Sequence, residues 1–190
     1  MMNLKYILLL ILTVLSPFCR SQTLSDAAIS IIDPSIEYDG AYKTISYPGG
    51  DVDSNTGVCS DVVIRSLRKI GIDLQKEIHE DISQNFNLYP NNWGLSKPDK
   101  NIDHRRVYNQ MKYFERKGFS VPISNKSEEY LPGDIVAWDL GGGLTHIGIV
   151  IDRISNYSDR YLIVHNIGSG QKAEDILFDF EIIGHYRIIE

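Results

Sequence analysis

Cys59 and five histidines, at positions 79, 104, 146, 165 and 185, carry the reactive side chains of this sequence. Cys59 opens an apolar set, Cys59, Val63, Leu67 and Ile70, that recurs at helical spacing. It follows a turn written Asn55-Thr56-Gly57. A thiol at a helix N-terminus faces partial positive charge, which favours the thiolate, so its pKa is expected below the ~8.5 of a free cysteine. A thiolate nucleophile needs a base and a group to orient that base. His146 opens the apolar run His146-Ile147-Gly148-Ile149-Val150, just past Gly141-Gly142-Gly143, and His165 ends the next one, in Val164-His165-Asn166. Neighbouring antiparallel strands place two such side chains next to each other on one sheet face. Read singly, Cys59 is a small buried hydrophobe and each histidine a satisfied core or edge residue. Read together, they form a Cys-His-His constellation.

A second dense cluster is Asn101-Ile102-Asp103-His104-Arg105-Arg106. Asp103 is expected to cap the helix it begins. Arg105 or Arg106 is expected to clamp a substrate carboxylate through paired N–H donors. His104 reads as a pocket residue or an alternative base, and Trp93 and Tyr89 as a cleft wall. His79, beside Glu77, reads as a solvated helix-face residue; His185 and Tyr186, late in the chain, read as structural.

These residues need a scaffold, and 190 residues suffice for one domain. The 25 acidic residues outnumber the 19 basic ones, so the chain lacks the basic footprint of a nucleic-acid binder. Met1–Ser21 carries Lys5, the apolar run Ile7–Leu15 and then Pro17, the order of a secretory signal cleaved near Ser21. That run is shorter than the ~20 residues of a membrane span, so the mature chain is expected periplasmic or secreted, with no stable span. Cleavage removes Cys19 and leaves Cys59 as the sole thiol of an exported protein, a reason to read it as functional. Residues 22–190 read as a single domain without repeats. Helices are expected over Ser25–Ile32, Cys59–Ile70, Asp73–Phe86 and Asp103–Lys117. Strands are expected at Ile135–Asp139, His146–Asp152, Tyr161–Asn166, Ile176–Phe180 and Ile183–Ile188. Helices first and consecutive strands later mean an α+β fold with an antiparallel sheet.

The Cys59-led helix, Pro132-Gly133-Asp134-Ile135-Val136, His146-Ile147-Gly148-Ile149-Val150 and the later His165 resemble the NlpC/P60 branch of papain-like cysteine peptidases. The resemblance implies N-terminal helices packed on an antiparallel β-sheet, with Cys59 as nucleophile, His146 as base and His165 as its orienter. It further implies a tyrosine hydroxyl near the oxyanion, a role that falls to Tyr47, twelve positions before Cys59. More narrowly, roughly residues 40–187 resemble the bacterial DUF1287 family. The matching stretches are Tyr47–Val52, Gly57–Arg65, Asn101–Val107, Val164–Gly168 and Gly184–Arg187. The peptidase pattern Asp-Cys-Ser-Gly is Val58-Cys59-Ser60-Asp61 here, with the acid two places after the cysteine, which questions the substrate contact expected of that acid at Asp61. The implied activity is a cofactor-free, metal-free thiol hydrolase, peptidase or amidase, cutting amide bonds of peptidoglycan stem peptides. Two rivals use the same residues. One is a zinc protein with Cys59, His146, His165 and Asp61 or His104 as ligands, although no Cys-x-x-Cys or His-Glu-x-x-His motif occurs. The other is a catalytically silent wall-binding module.

Overall fold

A computed structural model describes residues 23–188; the expected signal segment, 1–21, lies outside the described residues. Among these, no helix is long and apolar enough to cross a membrane. The fold is α+β, with four α-helices preceding or flanking one antiparallel sheet. The elements in chain order are α1 (Leu24–Ile29), β1 (Glu37–Tyr38), β2 (Thr56–Gly57), α2 (Cys59–Lys69), α3 (Leu74–Asn85) and α4 (Val107–Arg116). Then come β3 (Ile135–Gly141), β4 (Leu144–Ile154), β5 (Tyr161–His165), β6 (Lys172–Glu174) and β7 (Glu181–Tyr186).

The main sheet runs β6-β5-β4-β3-β7, every pair antiparallel. Successive side chains on a strand point to opposite faces. Ile135, Ala137, Ile147, Ile149, Ile151 and Val164 therefore form one face, buried with Val62, Val63 and Leu67 of α2 and Leu74, Ile78 and Ile82 of α3. Val136, Trp138, Val150 and Ile163 form the other face, covered by Tyr130 and Leu177. Burial on both faces explains why β3 and β4 read as apolar runs rather than as a strict alternation.

The Pro132-Gly133-Asp134 turn is built around a buried carboxylate. Asp134 accepts from the Leu131 N–H at 2.8 Å, from His185 Nε2 at 2.7 Å, and from Arg187 at 2.6 and 2.7 Å. His185 also stacks on Tyr130, with centroids 4.2 Å apart. The motifs around residues 132–134 and 184–187 are thus two halves of one structural network that closes β3 against β7.

Three elements differ from their sequence expectation. Residues 176–180 form a turn, not a strand; Leu177 is tucked under the sheet and its carbonyl accepts from Trp138 Nε1 at 2.9 Å. The edge strand is instead the short β6. The helix expected from Asp103 begins at Val107, because residues 103–105 make a separate 3-10 turn and Arg106 is extended. Asp103 does not cap α4: its carboxylate takes the Asp99 N–H and the Arg106 guanidinium. Finally, β1 and β2 form a two-residue parallel pair, with Tyr38 opposite Gly57.

Candidate active site

The preceding loop, the helix cap and two strands converge on Cys59. Asp61, in the first turn of α2, accepts the Val58 N–H at 2.8 Å, satisfying a donor that the helix start would otherwise orphan. The same carboxylate takes two bonds from Arg105, at 2.9 and 2.8 Å, and both side chains are only 2% exposed. Arg105 directs two further donors at the carbonyls of Ala41 and Asp39. Ser60 Oγ donates to the Arg105 carbonyl at 2.7 Å, and Asn166 Nδ2 donates to the Gly57 carbonyl at 3.1 Å. The residues on either side of Cys59 are therefore tied to the 103–105 turn and to the end of β5.

Cys59 is a free, buried cysteine. The backbone N–H groups of Ile147, Ser60 and Cys59 itself point at its sulfur. Contact with the Ile147 amide sets the thiol beside the peptide that follows His146. Burial nevertheless outweighs these donors and pushes the thiol up to about 11. The expected lowered pKa is thus reversed: the helix terminus does favour a thiolate, but removing the sulfur from water costs more.

His146 Nε2 lies 3.0 Å from His165 Nδ1, with the rings nearly perpendicular at 88°. His146 pairs across the sheet with Trp138, whose ring packs 5.7 Å from the imidazole. Gly148 makes the histidine pair possible. A Cβ there would stand 2.7 Å from Ile163 Cγ2, 2.9 Å from the Val164 carbonyl oxygen and 3.1 Å from His165 Cβ. Only a glycine lets β5 and the His165 side chain come this close. Burial, then the neighbouring His165, lowers His146 to about 3. His165 is lowered by burial too, against the raising effect of Glu174. The resting site accordingly holds a neutral thiol and a neutral His146 imidazole.

Tyr47 does not join this group. It packs edge-on against His79, with centroids 5.0 Å apart, and Lys100 lies over its ring at 5.6 Å. The phenol that senses Cys59 is Tyr38, held opposite Gly57 by the β1–β2 pair and half exposed. Burial raises its pKa first, and Cys59 and Asp61 raise it further. Sequence reading missed Tyr38 because two-residue strands have no periodicity to detect.

The carboxylate clamp expected of the two arginines is not left free. Arg105 and Asp61 form the buried pair above, so both are structural parts of the turn that leads into Cys59. Arg106 donates to Asp103 at 3.0 Å and lies over the Trp93 ring at 4.0 Å. Arg106, Trp93 and Tyr89 line a small cavity of about 30 Å³ between α3 and α4. His104 is buried, lowered to about 4 by that burial, and its Nδ1 has no partner. His79 is partly exposed, but its Nδ1 is buried and unpartnered, so the ring is only partly solvated. Among the described residues, no group of three or more His, Cys, Asp or Glu side chains is arranged to hold a metal ion. The joint ligand set imagined for zinc is thus not assembled: Asp61 is turned to Arg105.

Similarity to known proteins extends over nearly all of the described chain. A protein of Escherichia coli (strain K12), the uncharacterized protein YijF, is 48% identical over 164 residues, covering 86% of this chain and 80% of its own. Two crystal structures of a N-acetylmuramoyl-L-alanine amidase from Bacteroides uniformis ATCC 8492 superpose with TM-scores of 0.51 and 0.50. They are 15% identical, over 90% of this chain and 99% of theirs, a likeness of fold. Residues 25–188 match the family described as a domain of unknown function, DUF1287. With that match spanning the helices, the sheet and every residue of the candidate site, the chain belongs to the DUF1287 family.

Proposed function

We propose that this protein is an exported, cofactor-free cysteine hydrolase of the NlpC/P60 type that cleaves an amide bond in peptidoglycan, either within the stem peptide or at its muramoyl link. The observations that carry this reading are the His146–His165 pair, with 3.0 Å between its ring nitrogens, and a buried cysteine at the start of α2 that feels the backbone amide of Ile147, the residue after His146. The fold shared with a bacterial N-acetylmuramoyl-L-alanine amidase favours a cell-wall amide as substrate.

Both partners rest neutral, so His146 acts as a general base during attack rather than as half of a preformed ion pair. As the Cys59 sulfur bonds to the substrate carbonyl carbon, its proton passes to the His146 nitrogen not engaged by His165. The new imidazolium is held by His165 and returns the proton to the leaving amine as the C–N bond breaks. Water then attacks the thioester carbonyl with His146 again as base; the C–S bond breaks, His146 returns the proton to the Cys59 sulfur, and the acid product leaves. The N–H at the helix start and the Tyr38 hydroxyl stabilise the oxyanion. Tyr38 thereby takes the role first assigned to Tyr47.

The test is incubation of the mature chain with purified muropeptides, followed by mass analysis of the products. Release of intact stem peptide from the muramoyl group identifies an amidase, and a split stem identifies an endopeptidase. Cys59→Ala and His146→Ala should each abolish turnover while melting like the parent. Absence of product from every muropeptide, or turnover surviving in Cys59→Ala, overturns the proposal.

A further inference from the structure

The histidine pair does not end at His165. Its outer nitrogen, Nε2, lies 3.0 Å from the Glu174 carboxylate, which stands on the edge strand β6. Register explains the meeting: Lys172 pairs with His165 and Glu174 with Ile163, so the Glu174 side chain leans across one pair to reach the ring. His165 is buried, whereas Glu174 is 45% exposed. The contact is close but not aligned as a hydrogen bond, since Nε2 finds no partner of good angle. We infer that Glu174 is a positioning residue that selects the tautomers of both histidines and so leaves His146 competent as a base.

The argument is a count of protons. One hydrogen sits between His146 Nε2 and His165 Nδ1, and each neutral ring carries one N–H. If His165 Nδ1 carries that hydrogen, His165 Nε2 is a lone pair facing a carboxylate at 3.0 Å, and His146 carries its proton on Nδ1. A repulsive contact is then made and His146 cannot accept a proton from a thiol on that side. If His146 Nε2 carries it, His165 Nε2 is an N–H facing the carboxylate, and His146 Nδ1 is a lone pair. Attraction between an N–H and a carboxylate does not need a straight bond, so Glu174 favours the second arrangement even in its present geometry. The imidazolium formed during turnover spreads its charge toward His165 and is stabilised by the same carboxylate.

Three charged or titratable groups bear on His165. They are His146 from β4, and Glu174 and Lys172 from β6. Lys172 opposes the positive charge that Glu174 favours. Its ammonium is drawn off to Ser169 Oγ at 3.0 Å, leaving Glu174 as the carboxylate in direct contact with the ring, on the side away from His146.

The mechanistic part rests on the proposed hydrolase reading, but the tautomer claim is measured without any substrate. The whole mature chain, labelled with 15N-histidine, is observed by long-range 1H–15N correlation near neutral pH. Signals are assigned with His146→Gln and His165→Asn. In the parent, both His146 and His165 should show a protonated Nε2 and an unprotonated Nδ1. In Glu174→Ala, the His165 signals should shift toward a mixture of tautomers, while Glu174→Asp should restore at least part of the bias. A protonated His165 Nδ1 in the parent, or unchanged tautomers in Glu174→Ala, overturns the inference. Where turnover is found, kcat in Glu174→Ala should fall roughly twofold to fivefold with KM little changed, the size of a partly exposed charge contact. An inactive parent with the expected tautomers would sink the hydrolase reading and leave the Glu174 assignment standing.

Discussion

Replacing Arg105 with alanine should cripple the fold rather than the choice of substrate. Its guanidinium makes two bonds to Asp61 and two to the carbonyls of Asp39 and Ala41. Truncation would strand a carboxylate that is 2% exposed and retains only the Val58 N–H as partner. Breaking one side of a buried ion pair costs about 3–5 kcal/mol, mostly because the other charge is left without compensation. For a domain of this size each kcal/mol lowers Tm by roughly 2–4 °C, so the fall should be roughly 6–20 °C. Calorimetry on residues 22–190 at neutral pH measures it. Asp61→Asn in the Arg105→Ala background should recover part of the loss, because the stranded charge is then gone; the two changes together should cost less than their sum. Arg105→Ala melting within about 2 °C of the parent, a shift of under 1 kcal/mol, would refute the reasoning. It would return Arg105 to the role of a substrate clamp.

Iodoacetamide labelling of Cys59 in the folded chain should climb through the alkaline range toward a midpoint of about 11, and His146 should stay neutral between pH 5 and 8. A labelling plateau reached by pH 8 would show an activated thiolate and contradict the burial argument. Gly148→Ala should cost about 1–3 kcal/mol through overpacking and weaken the His146–His165 contact, since the added methyl meets Ile163, the Val164 carbonyl and His165; a variant as stable and as active as the parent would disprove the close approach. Asp134 is buried, which raises its pKa, but the bonds from Arg187 and His185 win and hold it below the usual carboxylate range. Its contribution is therefore present above the unfolded value of about 3.9 and lost as pH falls through the lower folded value. Asp134→Asn should lower stability at pH 7 and flatten its decline below pH 4, read from melts across pH 2–7; a parallel decline in parent and variant would refute it.

The chain pattern alone placed the main helices and four of the five strands of the sheet, and it singled out His146 and His165, which the fold brings within 3.0 Å of each other. Those features are written in local terms: apolar spacing of 3.6 residues in α2 and α3, apolar runs in β3 and β4, and short polar motifs at their ends. The three-residue strand β6 is too short to carry a period, and the apolar run after it is a turn whose leucine fills the far face of the sheet. What the residues around Cys59 do was decided by tertiary contact. Asp61 and Arg105 are 44 positions apart, and nothing local says that they neutralise each other in the interior. Tyr38 rather than Tyr47 lies within electrostatic range of Cys59 because a loop folds back to pair with the strand before the helix. The protonation of the site belongs to the same class. A helix start argues for a thiolate from sequence alone, yet burial by the assembled sheet and helices sets the resting thiol neutral, because desolvation depends on everything packed around the sulfur.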